Sequence, residues 1–341
     1  MKVRLECWSG EGHLAQVYAG LTMLSRQGRI ALVQQIVARP PPNRDPACPK
    51  HLVHVKGWHC AIEADRCRFY VDVHDDDHVD PQGLDSCDVY LKRSYNPRKP
   101  LSAKVRPLGL NYRVHADGFD ILEFERRRKL SGWSAAARYT LRHPLGVSAF
   151  EALPADGEPR VLFLCRPWPP EPDRASEKNR ERMEINDSRA AYILALRKAF
   201  GARCIAGFAP SPFTLEHYPA AVVKELSVTE PRRYVSLMRS MPICIATVGL
   251  HQSNGWKLGE YVAASRAIVS EELRHTVPGF AEGKNFLQFR NTVECIEAVG
   301  RLMESATRRR AMAEANREYY LSRLRPDRLM TTALALQGPA E

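Results

Sequence analysis

What these 341 residues lack narrows the field first. Nowhere do eighteen uncharged apolar residues run together, so no ordinary membrane-spanning helix is expected. The N-terminal MKVRLECWSGEGH carries no apolar stretch of the secretory kind, and a cytoplasmic chain is the expectation. Nine cysteines, odd in number and scattered, offer neither a disulfide framework nor zinc-ligand spacing. Cys60 and Cys67 are seven apart, while Cys165, Cys204 and Cys244 each fall inside an apolar run, which favours reduced thiols in a core. RNA-binding, zinc-finger and helix-turn-helix signatures are absent, so nucleic acid is not an expected partner. No internal repeat is visible. Acidic residues are in short supply, 39 against 50 Lys and Arg, for a formal charge of +11. Such an excess favours an anionic partner, either a phosphate-bearing small molecule or an acidic membrane surface.

What is present is an ordinary globular composition, 44% hydrophobic, in a chain long enough for two domains. The C-terminal half alternates. RVLFLC (160–165) is a nearly all-apolar run that fits a strand buried on both faces. A charged but periodic segment from Glu177 to Phe200, ending at Gly201, reads as a helix stopped by glycine. RCIAGF follows as strand, PRRYVSLMRSM as a helix with proline in its first turn, and PICIATVG as strand. Then come RAIVS and NFLQF, and helices over 292–305 and 307–321. Strands alternating with helices predict parallel βαβ units and a doubly wound sheet.

The N-terminal half is less regular. KVRLECW predicts a strand, SGEGH a glycine turn, and Leu14 to Arg26 a helix with apolar residues at 14, 17, 18, 21 and 24. RIALVQQIVA, CRFYVDV and CDVYLK read as further strands, and the Pro-rich ARPPPNRDPACP (38–49) as a surface loop. EALPADGEPR is the linker candidate. The expected organisation is an α/β protein with two Rossmann-like domains, 1–155 and 156–325, whose parallel sheets face a central cleft. A C-terminal tail, 326–341, is expected to pack back on the first domain.

In open parallel sheets ligands bind outside the carboxyl ends of the strands. Arg166 follows VLFLC, the loop beginning at Gly249 follows ICIAT, Gly10 and Gly12 follow VRLECW, and HDDDH (74–78) follows FYVDV. If Ser253 or Asn254 caps a helix starting near Gly255, its free N–H groups point outward, as at many phosphate sites. Lys257 would add a full charge there, and Glu260, one turn deeper, could accept hydrogen bonds from a ribose diol. A surface Lys/Glu pair explains the same spacing. Gly10 and Gly12 lack the third glycine of the dinucleotide fingerprint and are read as permitting a tight phosphate-side turn.

The order of this loop, KLGEYVAASRAIVS, VPGFAEGKNFLQF and RRRAMAEANREYY resembles the donor-binding domain of GT-B glycosyltransferases of the group 1 kind, among them bacterial polysaccharide and spore-maturation-type relatives. The likeness spans roughly 160–325 and is most specific at 249–289. It implies that Arg166 and Lys257 grip the diphosphate of a nucleotide-sugar and that Glu260 binds its ribose. It also implies a metal-independent transfer with no resident cofactor, and a glycan or lipid-linked acceptor. Retaining members usually carry a second glutamate seven residues before the ribose-binding one, where this chain has Ser253.

An inverting transfer also needs a general base near the acceptor hydroxyl, for which His13, Asp75 and Asp76 are candidates. HDDDH could instead suggest a metal, but adjacent residues on an extended chain point to opposite sides, and an acidic loop is expected. The basic runs Arg126 to Lys129 and Arg308 to Arg310 read as solvated helix faces, with membrane headgroups at the inner face of the membrane or a charged substrate as the other reading. Trp168 is expected to pack. Two other functions fit this fold: a nucleotide-sugar epimerase or phosphorylase, and an assembly protein that keeps the donor domain without turnover.

Overall fold

The computed structural model describes residues 1–8, 12–37, 58–99, 101–142, 144–155, 157–172 and 175–335. Gly10 and the Pro-rich stretch at 38–49 lie outside the described residues. The chain divides into two compact units. The first comprises Met1–Ser148, Thr276–Pro278 and Arg323–Glu341; the second comprises Ala149–His275 and Gly279–Ser322.

The first unit is built from β1 (Lys2–Cys7), α1 (Ala15–Arg26), β2 (Ala31–Ile36), β3 (His59–Ala64), β4 (Cys67–Asp72), α2 (Pro81–Asp85), β5 (Val89–Lys92), β6 (Val105–Pro107), α3 (Ile121–Ser131) and α4 (Trp133–Arg142). The short α5 (Val147–Phe150) closes the first long segment. Six strands form one sheet in the order β2-β1-β3-β4-β5-β6. The parallel sheet expected here is mixed, because β3 runs antiparallel to both β1 and β4. The cause is local. Ala64 pairs with Cys67 across a tight turn in which Asp65 has φ 52°, a left-handed conformation that Asp tolerates better than most residues. With no glycine in that turn, the hairpin leaves little trace in the sequence.

Alternate residues of β1 (Val3, Leu5, Cys7) meet Leu14, just before α1, and the apolar face of α1 (Val17, Leu21, Leu24) in the core of this unit. The last helix in the chain, α12 (Pro326–Ala333), returns to that core through Leu329, Met330 and Leu334. Gly20 is what lets it approach. A methyl group on Gly20 would lie 2.2 Å from the Pro326 carbonyl oxygen.

The second unit holds β7 (Val161–Cys165), α6 (Ser176–Phe200), β8 (Cys204–Phe208), α7 (Pro212–His217), α8 (Pro231–Ser240), β9 (Ile243–Ala246), α9 (Trp256–Ala263), β10 (Ala267–Glu271), β11 (Leu287–Phe289), α10 (Thr292–Glu304) and α11 (Ala306–Tyr319). Its five strands are all parallel, in the order β11-β10-β9-β7-β8. Val161, Phe163, Ile243, Ile245 and Val269 pack against Ile193 and Leu196 of α6 and Val299 and Leu302 of α10. Burial on both faces is why these strands read as unbroken apolar runs. The strand order reverses between β7 and β9. Their register pairs only Val161 with Ile243 and Leu162 with Cys244, at the amino ends. A crevice at the carboxyl ends of strands, at such a reversal, is where doubly wound sheets bind ligands.

The eight described cysteines are free thiols. The run at 126–129 is helical, but Arg126 is not solvated: it is buried, bonded to Glu123, and lies 4.1 Å over the ring of Tyr18. Among the described residues no helix is long and apolar enough to cross a membrane.

Candidate functional site

In the second unit, β7 delivers Arg166 and β9 delivers the loop from Thr247 to Gly255, one on each side of the strand reversal. Arg189, buried on α6, ties the two together. Its guanidinium donates to the Arg166 carbonyl at 2.9 Å, to Thr247 Oγ1 at 3.0 Å and to the Val248 carbonyl at 3.0 Å. Glu271, at the end of β10, accepts from the Val248 N–H at 2.8 Å and from the Tyr192 hydroxyl at 3.1 Å. Burial pushes the Glu271 carboxyl up, and these donors together with Arg189 oppose that rise.

The loop is tight and unusual. His251 and Gln252 both have positive φ, 58° and 55°. Two consecutive non-glycine residues in this region are uncommon, and such strain collects at binding loops. Gly249 accepts no side chain, since a Cβ there would lie 2.9 Å from the Ser253 hydroxyl. Neither Ser253 nor Asn254 caps the following helix. Ser253 is buried and its carbonyl accepts from the Gly249 N–H at 2.9 Å, while the Asn254 amide donates to the His275 carbonyl at 3.2 Å. The N-cap of α9 is Gly255, which has no side chain to bond the first-turn amides. A Cβ on Gly255 would press on the Thr247 carbonyl at 3.2 Å.

Lys257 occupies the first turn of α9 and Glu260 the next, 3.3 Å apart. Tyr234 of α8 holds both: its ring lies 3.2 Å from the Lys257 ammonium, and its hydroxyl donates to Glu260 at 3.0 Å. Burial lowers the Lys257 ammonium below its ordinary value, Glu260 pulls it back up, and Arg166 lowers it further. Arg166 is therefore close enough to repel Lys257 electrostatically. Lys257, paired with Glu260 on one side, and the exposed Arg166 put two positive charges at this end of the sheet, where an anion would find partners. Leu258, Tyr261 and Val262 form the buried face of α9. Ala264, the C-cap residue of α9, is buried as well.

The other candidates belong to the first unit. Gly12 opens a one-turn 3-10 helix that carries His13, and the Arg113 guanidinium lies 3.0 Å from where a Cβ on Gly12 would be. The His13 ring stacks on Trp58 at 4.1 Å, and burial, with Arg93, His74 and Arg113 adding to it and Asp75 opposing, brings it down to about 4. Asp75 is ion-paired with Arg93, and Asp77 with Lys99 at 2.5 Å. Asp76 lies 4.0 Å from the Lys92 ammonium and caps the His78 N–H at 3.1 Å. Each aspartate of HDDDH thus faces its own basic or backbone donor, and among the described residues no group of three His, Cys, Asp or Glu comes together as a metal site. Beneath them, Asp72 is buried with Lys92 at 2.9 Å, His74 Nδ1 at 2.8 Å and the Tyr90 hydroxyl. Burial alone would raise its carboxyl, but Lys92, His74 and Tyr90 hold it well below the usual carboxylate range.

Residues 189–335 match the family model described as glycosyl transferase-like. The chain also resembles solved structures. One is WaaG, a glycosyltransferase involved in lipopolysaccharide biosynthesis, at 12% identity over 97% of this chain and 96% of that one, with a TM-score of 0.41. Another is HepE of Anabaena in complex with UDP, at 11% identity over 99% and 100%, TM-score 0.40. A third is the C-terminal domain of LpcC, a group 1 family glycosyl transferase from Francisella tularensis, at 14% identity over 57% and 100%, TM-score 0.32. No curated protein matches the sequence.

In the second unit, sequence reasoning singled out Arg166, Lys257 and Glu260 and passed over Arg189, Glu271 and Tyr234, which hold their surroundings together. Arg189 did leave a signal. It lies on the same helical stripe as Ile193 and Leu196, where a charged residue is out of place unless something buried needs it. Trp168 packs, with the Arg182 guanidinium 5.8 Å over its ring.

Proposed function

We propose that the protein transfers a sugar from a nucleotide-sugar to a glycan or lipid-linked acceptor. The observation that carries this reading is geometric: Arg166 follows β7 and the loop to α9 follows β9, on either side of the strand reversal, and Lys257 lies in the first turn of a helix whose N-cap, Gly255, has no side chain. A donor diphosphate would take both cations and the first-turn amides of α9 as partners. Glu260, already oriented by Tyr234, would receive the ribose hydroxyls.

As the glycosidic bond breaks, negative charge grows on the departing diphosphate. Cations and N–H dipoles fixed in place beforehand lower that barrier by several kcal/mol, on the order of what an oxyanion donor supplies elsewhere. No resident cofactor or metal is needed for this assignment. For an inverting course the base would come from His13, Asp75 or Asp76. Their surroundings favour Asp76, since Asp75 is held by Arg93 and His13 is drawn down to about 4.

Calorimetric titration with UDP, GDP, CMP and dTDP tests the donor site. One nucleoside phosphate should bind the intact protein, and Lys257→Ala and Glu260→Ala should each weaken it about tenfold or more. Unchanged affinity in both variants would remove the basis of the proposal. Product formation that depends on an added acceptor separates transfer from epimerisation or phosphorolysis, and from a protein that binds the nucleotide without turnover.

A further inference from the structure

The hairpin of α3 and α4 in the first unit carries an apolar surface that the transfer reaction does not use. On α4, Trp133, Ala137 and Leu141 recur at i, i+4 and i+8 and all face solvent, while Ala135, Ala136 and Tyr139 form the buried face. Trp133 is 69% exposed and Leu141 81%, and Ile121, the first residue of α3, and Phe119, just before it, are 57% and 49% exposed. Single exposed apolar residues are ordinary, but the aromatic ones here are linked across the two helices. Phe119 touches Phe124 and Tyr139, at ring separations of 5.9 Å each, and Phe124 touches Trp133 at 6.4 Å.

Basic residues border this surface. Arg138 and Arg142 flank the stripe on α4, and Arg127 and Arg128 lie over the rings of Tyr139 and Trp133. Residues 119–142 contain six Lys and Arg against three Asp and Glu, a net of +3. Arg128 is paired with Glu125 and Arg127 with Glu123, whereas Arg138 has no acidic partner among the described residues.

We propose that this hairpin face docks on an anionic lipid surface. Trp133, Leu141 and Ile121 would enter the boundary between headgroups and acyl chains, and Arg138 and Arg142 would reach the phosphates with their stems along the same boundary. Charge decides against a second copy of the chain as the occupant, because a self-complementary contact would set one basic rim against another. The proposal is independent of the transfer reaction and holds whatever the substrate is.

Co-sedimentation of the full chain with phosphatidylcholine vesicles, with and without phosphatidylglycerol, tests it. Binding should require phosphatidylglycerol and weaken as salt is raised. Trp133→Ser combined with Leu141→Ser should lower partitioning about tenfold. Arg138→Gln with Arg142→Gln should lower it roughly 30-fold, about fivefold per charge near an anionic surface. Arg308→Gln with Arg310→Gln removes the same charge from exposed positions on α11 and should change it little. An equal loss in that pair would mean that bulk charge binds the vesicles, and the proposal falls. It also falls if phosphatidylglycerol has no effect, if the Trp133 and Leu141 changes leave partitioning intact, or if ultracentrifugation shows a dimer that Leu141→Ser dissociates. All the altered side chains are exposed, so matching thermal midpoints should confirm that each variant folds.

Discussion

Arg189 donates to the main-chain carbonyl of Arg166 across the point where the strand order of the second unit reverses. One buried guanidinium therefore fixes the spacing between the chain leaving β7 and the loop leaving β9. Replacing it by Leu strands the Arg166 and Val248 carbonyls and leaves Glu271 without its nearby cation. Arg189→Leu should cost about 3 kcal/mol by urea denaturation. It should also lower nucleotide affinity, although it touches no proposed ligand atom. Arg189→Lys keeps the charge but not the fork and should rescue stability only in part. Full stability in Arg189→Leu would show that the loops hold their positions without it.

Tyr234 makes two contacts that one substitution separates. Tyr234→Phe keeps a ring for the Lys257 ammonium and removes the hydroxyl that donates to Glu260 at 3.0 Å. If Glu260 receives a ribose, the variant should bind a nucleoside diphosphate roughly three- to tenfold more weakly, the worth of about 1 kcal/mol of orientation. Inorganic pyrophosphate, which has no ribose, should bind it as well as the original protein. Equal losses for both ligands would move Glu260 away from the sugar.

How much of this was legible follows from how each element is buried. The strands of the second unit are covered on both faces, so their sequences are apolar without interruption and their boundaries are visible. Arg166 and Lys257 were singled out because they follow buried strands, where ligand-binding residues collect. The mixed sheet of the first unit was not legible, because the β3–β4 turn uses Asp65 rather than glycine. The basic run at 126–129 reads as solvent-facing, yet Arg126 needs burial to meet Tyr18 and Glu123, which lie on a different helix and one turn back respectively. Lys92 and Asp72 belong to different strands, and no spacing rule announces an ion pair between them.

Acid should unfold the first unit in two phases. Burial lowers His115 from 6.5 to about 4, with Glu123 only partly opposing, so between those values the unfolded chain binds a proton that the folded protein refuses. Stability therefore falls as pH drops from 6.5 to 4, by about 3 kcal/mol for a group shifted this far. Glu123 is shifted down to about 2: burial would raise it, but Arg126, His115 and Arg127 lower it more. Its contribution is complete above 4.5 and is lost as pH falls toward 2. In denaturation curves measured across pH, His115→Gln should make the upper phase shallower, leaving the share of His13, which is also brought down to about 4, and should lessen the lower phase slightly, since Glu123 loses one of the cations that lower it. An unchanged upper slope would assign it to other groups.

Two helical glycines should respond in opposite directions to alanine. Gly20 on α1 faces the Pro326 carbonyl at 2.2 Å and Met330 at 2.6 Å from its would-be Cβ, so Gly20→Ala must push α12 away, at a cost of about 2 kcal/mol. Gly300 on α10 has nothing within 4 Å, and Gly300→Ala should stabilise by roughly 1 kcal/mol through helix propensity alone. Thermal midpoints moving the same way in both would contradict the close contact between α1 and α12.

Lys92 is 1% exposed and its ammonium sits 2.9 Å from Asp72, so neither charge has water to fall back on. Lys92→Met leaves the Asp72 carboxylate with only His74 and the Tyr90 hydroxyl, and should cost about 4 kcal/mol. Asp72→Asn strands the ammonium and should cost a similar amount. Combining the two removes both charges from the interior, and the pair should then cost well under the sum of the singles, because most of each single loss is the burial of an unpaired ion. Strictly additive stability losses would show that Lys92 and Asp72 are solvated independently and that the buried network is not what holds this end of the sheet.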